Sequence, residues 1–188
     1  MRYPQRMALE FTTSYVQDAI AVLRQYQKLG QGAIDQCPDE RLTAQLDPES
    51  NSIAILINHL AGNMRSRWTD FLTTDGEKPD RNRDSEFEAL PATRAELLEL
   101  WRQGWAMLFA ALGSLSDADL PRTVTIRGEP HSVMQAINRQ VAHYAYHIGQ
   151  MVFLAKHFAG SAWKTLSVPK GQSARFNADV AAGKKSQR

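Results

Sequence analysis

Apolar residues recur at steps of three and four along most of this chain, with polar residues between them. Positions i, i+3 and i+4 share one helix face, so the pattern predicts amphipathic helices. Four are readable. The first runs from about Ala8 to Ile34, on Phe11, Tyr15, Ala19, Val22, Tyr26 and Leu29. Gly30 and Gly32 weaken its last turns, and Pro38 marks its stop. The second runs from about Ser52 to Leu72, on Ile53, Leu56, Ile57, Leu60, Met64, Trp68 and Phe71. Asn51 or Ser52 can cap its start. The third opens on Thr93-Arg94-Ala95-Glu96, a capping box, and buries Leu97, Trp101, Trp105, Leu108, Leu112 and Leu115. The fourth opens on the Ser132-Val133-Met134-Gln135 box and runs to Phe158, on Val133, Ile137, Val141, Tyr144, Ile148 and Ala155.

Two connections stand out. Thr123-Val124-Thr125-Ile126-Arg127 alternates polar and apolar before Gly128, which predicts a short extended segment ahead of helix 4. Thr74 to Ala92 is polar and long for a link between helices, which points to a functional or packed surface loop. Four amphipathic helices imply an all-α fold, a four-helix bundle. The expected organisation is one domain over residues 1–180 and a flexible basic tail at 181–188.

The 188 residues are enough for one sizeable core. No apolar run approaches the roughly 20 residues that cross a bilayer; Ile53 to Ile57 is far too short. Met1 to Arg6 lacks the apolar stretch of a signal peptide, so the expected location is the cytoplasm. The single cysteine, Cys37, excludes an internal disulfide and a multi-cysteine zinc site. It reads as a bland residue near a helix end rather than a reactive thiol. Net charge is +2, but six Lys/Arg against one Asp from Lys164 onward leave a body of 16 basic and 19 acidic residues. That body has no basic stripe with interleaved aromatics, so nucleic acid is not an expected partner, nor is a membrane.

The chemistry-bearing residues are His59, His143 and His147. His143 and His147 stand one turn apart in the predicted helix 4, at one edge of its apolar stripe. His59 stands at an edge of the helix 2 stripe. Two neutral imidazoles on one helix and a third from a neighbour can hold a divalent metal and leave coordination positions open. The same spacing also occurs on ordinary soluble helices, so both readings stand at this point. Two stronger signatures are absent. His143-Tyr144-Ala145-Tyr146-His147 lacks the glutamate that follows the first histidine in zinc proteases, and no Glu-x-x-His pairs mark a di-iron bundle. His131 belongs to the region capping helix 4, and His157 faces away from the pair. Tyr144 joins the core stripe while Tyr146 covers surface. Arg65 with Arg67, and Arg81 with Arg83 and Asp84, read as charge-balanced solvated faces, with anion binding as the alternative.

Several blocks carry a resemblance. They are Asn51-Ser52-Ile53-Ala54 leading to His59-Leu60-Ala61-Gly62-Asn63, and Phe71 to Pro79 followed by Arg81-Asn82-Arg83-Asp84. Thr125-Ile126-Arg127-Gly128-Glu129 through His131-Ser132, Asn138-Arg139-Gln140 and His143 to Gln150 is the third, and Leu166 to Ser173 closes the series. In these the chain resembles the DinB/YfiT-like superfamily of metalloenzymes, in a branch described as a domain of unknown function. The resemblance implies an up-down-down-up bundle and a homodimer. It also implies a divalent metal (zinc, nickel or iron) held by His59, His143 and His147. Some superfamily members are thiol S-transferases, which implies a low-molecular-weight thiol and a small electrophile as partners.

A cation held by three neutral imidazoles would lower the pKa of bound water toward about 7 and deprotonate a bound thiol. Thiol transfer is the first expectation and metal-assisted hydrolysis the second. This suits a site for which the sequence offers no nearby Glu or Asp. Asn63 is expected to orient a ligand or water, and Thr74–Ala92 and Ser167–Ser173 to wall the pocket. The competing expectation is a non-catalytic, stress-related bundle protein that binds a metal or small ligand.

Overall fold

A computed structural model describes residues 14–88, 91 and 93–185. It is mostly helical, with one small two-stranded sheet. The helices are α1 (Tyr15–Gln36), α2 (Ile53–Trp68), α3 (Ser85–Glu88), α4 (Arg94–Gly113), α5 (Val133–Ala159) and α6 (Ser173–Ala181). The expected start of the first helix at Ala8, with Phe11, lies outside the described residues, as do residues 186–188 of the expected tail.

The predicted caps form. Ser52 Oγ accepts from Ile55 N at the start of α2. Thr93 with Glu96 and Ser132 with Gln135 close reciprocal capping boxes on α4 and α5. Each satisfies backbone N–H groups that a first turn leaves without partners. Gly30 and Gly32 do not end α1, which continues to Gln36. Gly30 is buried where α1 meets α4 and α5, and a Cβ there would overlap Trp101 and Ile148. Its lack of a side chain permits close approach, which outweighs its weak helix propensity. Arg94 fixes the chain beyond α1, donating to Ile34 O at 2.8 Å and Cys37 O at 2.5 Å.

The long helices pack in pairs, α1 with α5 and α2 with α4; α2 also meets α5, and α1 meets α4. One apolar core runs between them, centred on Leu23, Leu56, Leu60, Met64, Trp105, Leu108 and Tyr144. Within it Tyr144 accepts from Trp68 Nε1 at 2.9 Å and donates to Asn63 Oδ1 at 3.1 Å. A buried hydroxyl is thus satisfied twice, and α2 is pinned to α5 beside the histidines.

The predicted extended segment is strand β1 (Thr123–Ile126), which pairs antiparallel with β2 (Glu129–Ser132), a partner the alternation did not predict. The turn places Arg127 and Gly128 at φ 55° and 77°, as a tight hairpin requires. Asp75 reaches over from the 74–92 connection and secures that turn. Its carboxylate accepts from the backbone N–H groups of Arg127 and Gly128, both at 2.8 Å. Gly76 N donates to Thr125 O at 2.7 Å, and Ser66 of α2 donates to Gly76 O at 2.9 Å. The long connection is therefore a packed loop stitched to α2 and the hairpin.

Candidate metal centre

α2 and α5 bring His59, His143 and His147 together. Their candidate ligand atoms all lie within 4.8 Å of one another. His143 Nε2 lies 3.3 Å from His59 Nε2 and 3.1 Å from His147 Nε2. His59 and His147 are buried and His143 is half-buried. The edge positions on the two stripes thus meet where the helices face each other.

The far ring nitrogens decide the chemistry. His59 Nδ1 lies 2.8 Å from Glu86 Oε2, so against an ionised carboxylate it must donate. His147 Nδ1 lies 2.8 Å from Gln150 Oε1 and donates likewise. Both Nε2 atoms therefore present lone pairs to the centre. His143 can offer one proton between those two acceptors, and its own Nδ1 is buried without a partner. Facing lone pairs with too few protons are what a cation satisfies. Two nitrogens bound at about 2.0–2.1 Å in tetrahedral geometry lie about 3.3 Å apart, close to the separations here.

Burial first, then the neighbouring His147, His59, Arg139 and Arg67, pushes the His143 ring down to about 3. Burial also holds His147 below its ordinary value, against the bond it donates to Gln150. Both rings are neutral near pH 7, the form that ligates metals.

Glu86 corrects the expectation that no carboxylate stands near. It comes from α3, a single turn inside the Thr74–Ala92 connection, and is buried. Its Oε2 takes His59 Nδ1 and Arg81 Nη2, and its Oε1 takes Arg81 Nε at 2.8 Å. Burial raises its carboxyl, but the bonds from His59 and Arg81 outweigh that and leave it below the ordinary value. A carboxylate bonded behind a ligating imidazole orients the ring and raises its basicity. The sequence signal was slight: an acidic residue in a long polar loop.

Other expectations divide. Asn63 is buried beside the cavity, with its Oδ1 engaged by Tyr144. His157 is exposed, and His131 sits on β2 just before the Ser132 cap. Arg65 and the pair Arg83–Asp84 are solvent-facing, as a solvated face requires. Arg67 and Arg81 are not: their side chains are 5% and 3% exposed, because Gly76 O, Glu77 and Glu86 bond them inside the fold. Cys37 is buried at the end of α1, and burial pushes its thiol up to about 11, which fits an inert residue.

A cavity of about 260 Å³ adjoins His59 and His143. The Thr74–Ala92 connection contributes Arg81 and Arg83 to its wall. The Ser167–Ser173 motif does not contribute. Ser167, Val168, Pro169 and Gln172 border a separate cavity of about 1260 Å³ against α1, which includes none of the three histidines. The sequence alone gave no sign that the C-terminal segment folds back onto α1.

Among the described residues no helix is long and apolar enough to cross a membrane. A family model described as "Protein of unknown function (DUF1572)" matches residues 10–172, a span that includes all three histidines and Glu86. No curated protein matches the chain.

Proposed function

We propose, for a chain that belongs to the DUF1572 family of proteins of unknown function, a metal-dependent enzyme that transfers a thiol to a small electrophile. The reading carries with it a DinB/YfiT-like four-helix bundle of up-down-down-up topology, one domain over residues 1–180, a homodimer and a cytoplasmic location. The observation that supports it is the convergence of three Nε2 atoms, two of them fixed as lone-pair donors by Glu86 and Gln150.

His59, His143 and His147 hold the ion, which is zinc, nickel or iron. Bound there, a divalent cation supplies Lewis acidity, which makes a thiol or a water nucleophilic near neutral pH. Glu86 keeps the His59 ring in one tautomer and orientation. Both its oxygens are engaged and its carboxyl is held below the ordinary value, so it is not free to act as a general base. No carboxylate is among the described residues that line the adjoining cavity. That favours a nucleophile activated by the cation over one activated by a protein base. Trp68, Tyr144 and Asn63 hold α2 and α5 in the register on which the convergence depends.

Total metal analysis of untagged protein tests the centre. About one ion per chain is expected, and its loss in His147→Ala. Thiol consumption with a model electrophile then tests the reaction. Consumption that survives His147→Ala overturns the thiol-transfer reading. Bound metal without thiol consumption leaves hydrolysis, or a non-catalytic binding protein, in its place.

A further inference from the structure

Five arginines from four parts of the chain line the 260 Å³ cavity beside His59 and His143. Arg67 comes from α2, Arg81 and Arg83 from the 74–92 loop, Arg127 from the hairpin turn and Arg139 from α5. Like charges gathered in a concave, partly dry site repel one another unless matched.

The matching inside the protein is incomplete. A single carboxylate oxygen, Glu77 Oε2, lies 3.1 Å from Arg67, 3.2 Å from Arg81 and 3.3 Å from Arg127. Glu86 pairs with Arg81, and Asp84 lies 4.0 Å from Arg83 at the surface. Asp75 is committed to the backbone N–H groups of Glu77, Arg127 and Gly128. Five positive groups thus face four negative ones, and none of the four lines the cavity. Arg139 has no ion pair among the described residues. Arg67, 4% exposed, has a buried Nε with no hydrogen-bond partner. Arg67 and Arg81 lie deep, while Arg83 and Arg127 are half exposed, so the charge runs from the floor of the cavity to its mouth.

We propose that this cavity is an oxyanion site, which takes the carboxylate or phosphate group of a small substrate and sets its reactive end against the His59 and His143 side of the histidine centre. The role of the imidazoles rests on the metal-dependent reading above; the anion site rests on the arginines. Guanidinium forks match the planar, bidentate geometry of carboxylates and phosphates, and pair with them more strongly where water is excluded. The cavity lies just below the roughly 300–1,000 Å³ of common ligand pockets, so the occupant is small.

Isothermal titration of the full-length protein tests this, in chelator and again with zinc, at fixed ionic strength in chloride. The probes are inorganic phosphate, succinate and the neutral isostere succinamide. Phosphate or succinate is expected to bind and succinamide not to bind. The tighter of the two anions identifies the group that the substrate carries. Arg139→Ala is expected to weaken binding at least tenfold, and Arg139→Glu to abolish it; Arg139 is exposed, so both variants fold. Neither anion binding above chloride, or Arg139→Ala binding as tightly as the parent, overturns the proposal. Anion binding retained in His147→Ala protein that has lost its metal supports the site independently of the metal. Anion binding absent from protein that still holds one ion per chain sinks the site and leaves the metal reading standing.

Discussion

Glu86 Oε2 stands 2.8 Å behind His59 Nδ1, across 27 residues of chain, with both groups buried. One carboxylate thus sets which nitrogen of His59 faces the other two histidines. Glu86→Gln retains the shape but replaces a charged acceptor with a neutral one. Partners behind ligating histidines are worth about 10–100-fold in metal affinity. A loss of that size is expected in a competition titration against a chromophoric chelator, with the helical circular dichroism retained. Affinity equal to the parent's would show that the carboxylate serves Arg81 and the loop rather than the centre.

The three histidines were legible because helical periodicity places i and i+4 on one face, and because they sit at the edges of apolar stripes. The capping boxes at Thr93 and Ser132 were legible for a related reason: each is a local contract between residues three apart. Glu86 and the Arg67–Glu77–Arg81 cluster were not, because an irregular loop has no periodicity to show which of its charged residues turn inward onto α2. Burial of Arg67 ran against its charge, and the Glu77 carboxylate together with the Gly76 carbonyl offsets it. The role of Gly30 was hidden in the same way, since a residue poor for a lone helix fits where three helices meet.

Acid is expected to destabilise the metal-free protein through the histidine centre. Burial, with help from neighbouring rings and arginines, lowers His143 to about 3, and His147 is lowered too. In the unfolded chain both titrate near 6.5. Below that pH the unfolded state binds more protons, so stability falls with pH. The contribution is whole above about pH 6.5 and is lost progressively as pH drops toward 3. Glu86 adds a fall in the same direction, present above its ordinary 4.5 and lost as pH falls through its lower folded value. In chelator, Tm is expected to hold near pH 7 and fall between pH 6.5 and 4. His143→Gln should flatten the part of that fall above pH 4.5. An unchanged slope in a folded variant would mean that His143 is protonated alike in both states.

Gly30 and Gly149 are both helical glycines, and the same substitution at each should act with opposite sign. Replacing glycine with alanine in a helix interior gains about 1 kcal/mol of propensity. At Gly149 a Cβ meets nothing within 4 Å, so that gain is expected in full. At Gly30 a Cβ falls 2.8 Å from Ile148 Cδ1 and overlaps the Trp101 ring, which is itself buried. Overpacking costs about 1–3 kcal/mol, and a wall made of an indole on α4 and an isoleucine on α5, both buried, gives little room to relax. The clash outweighs the propensity, for a net loss of about 1 kcal/mol at Gly30. Urea denaturation of the two single variants measures both signs. Stabilisation by Gly30→Ala would show that α1 sits farther from α4 and α5 than the packing described above, and the register of the long helices would then need redrawing.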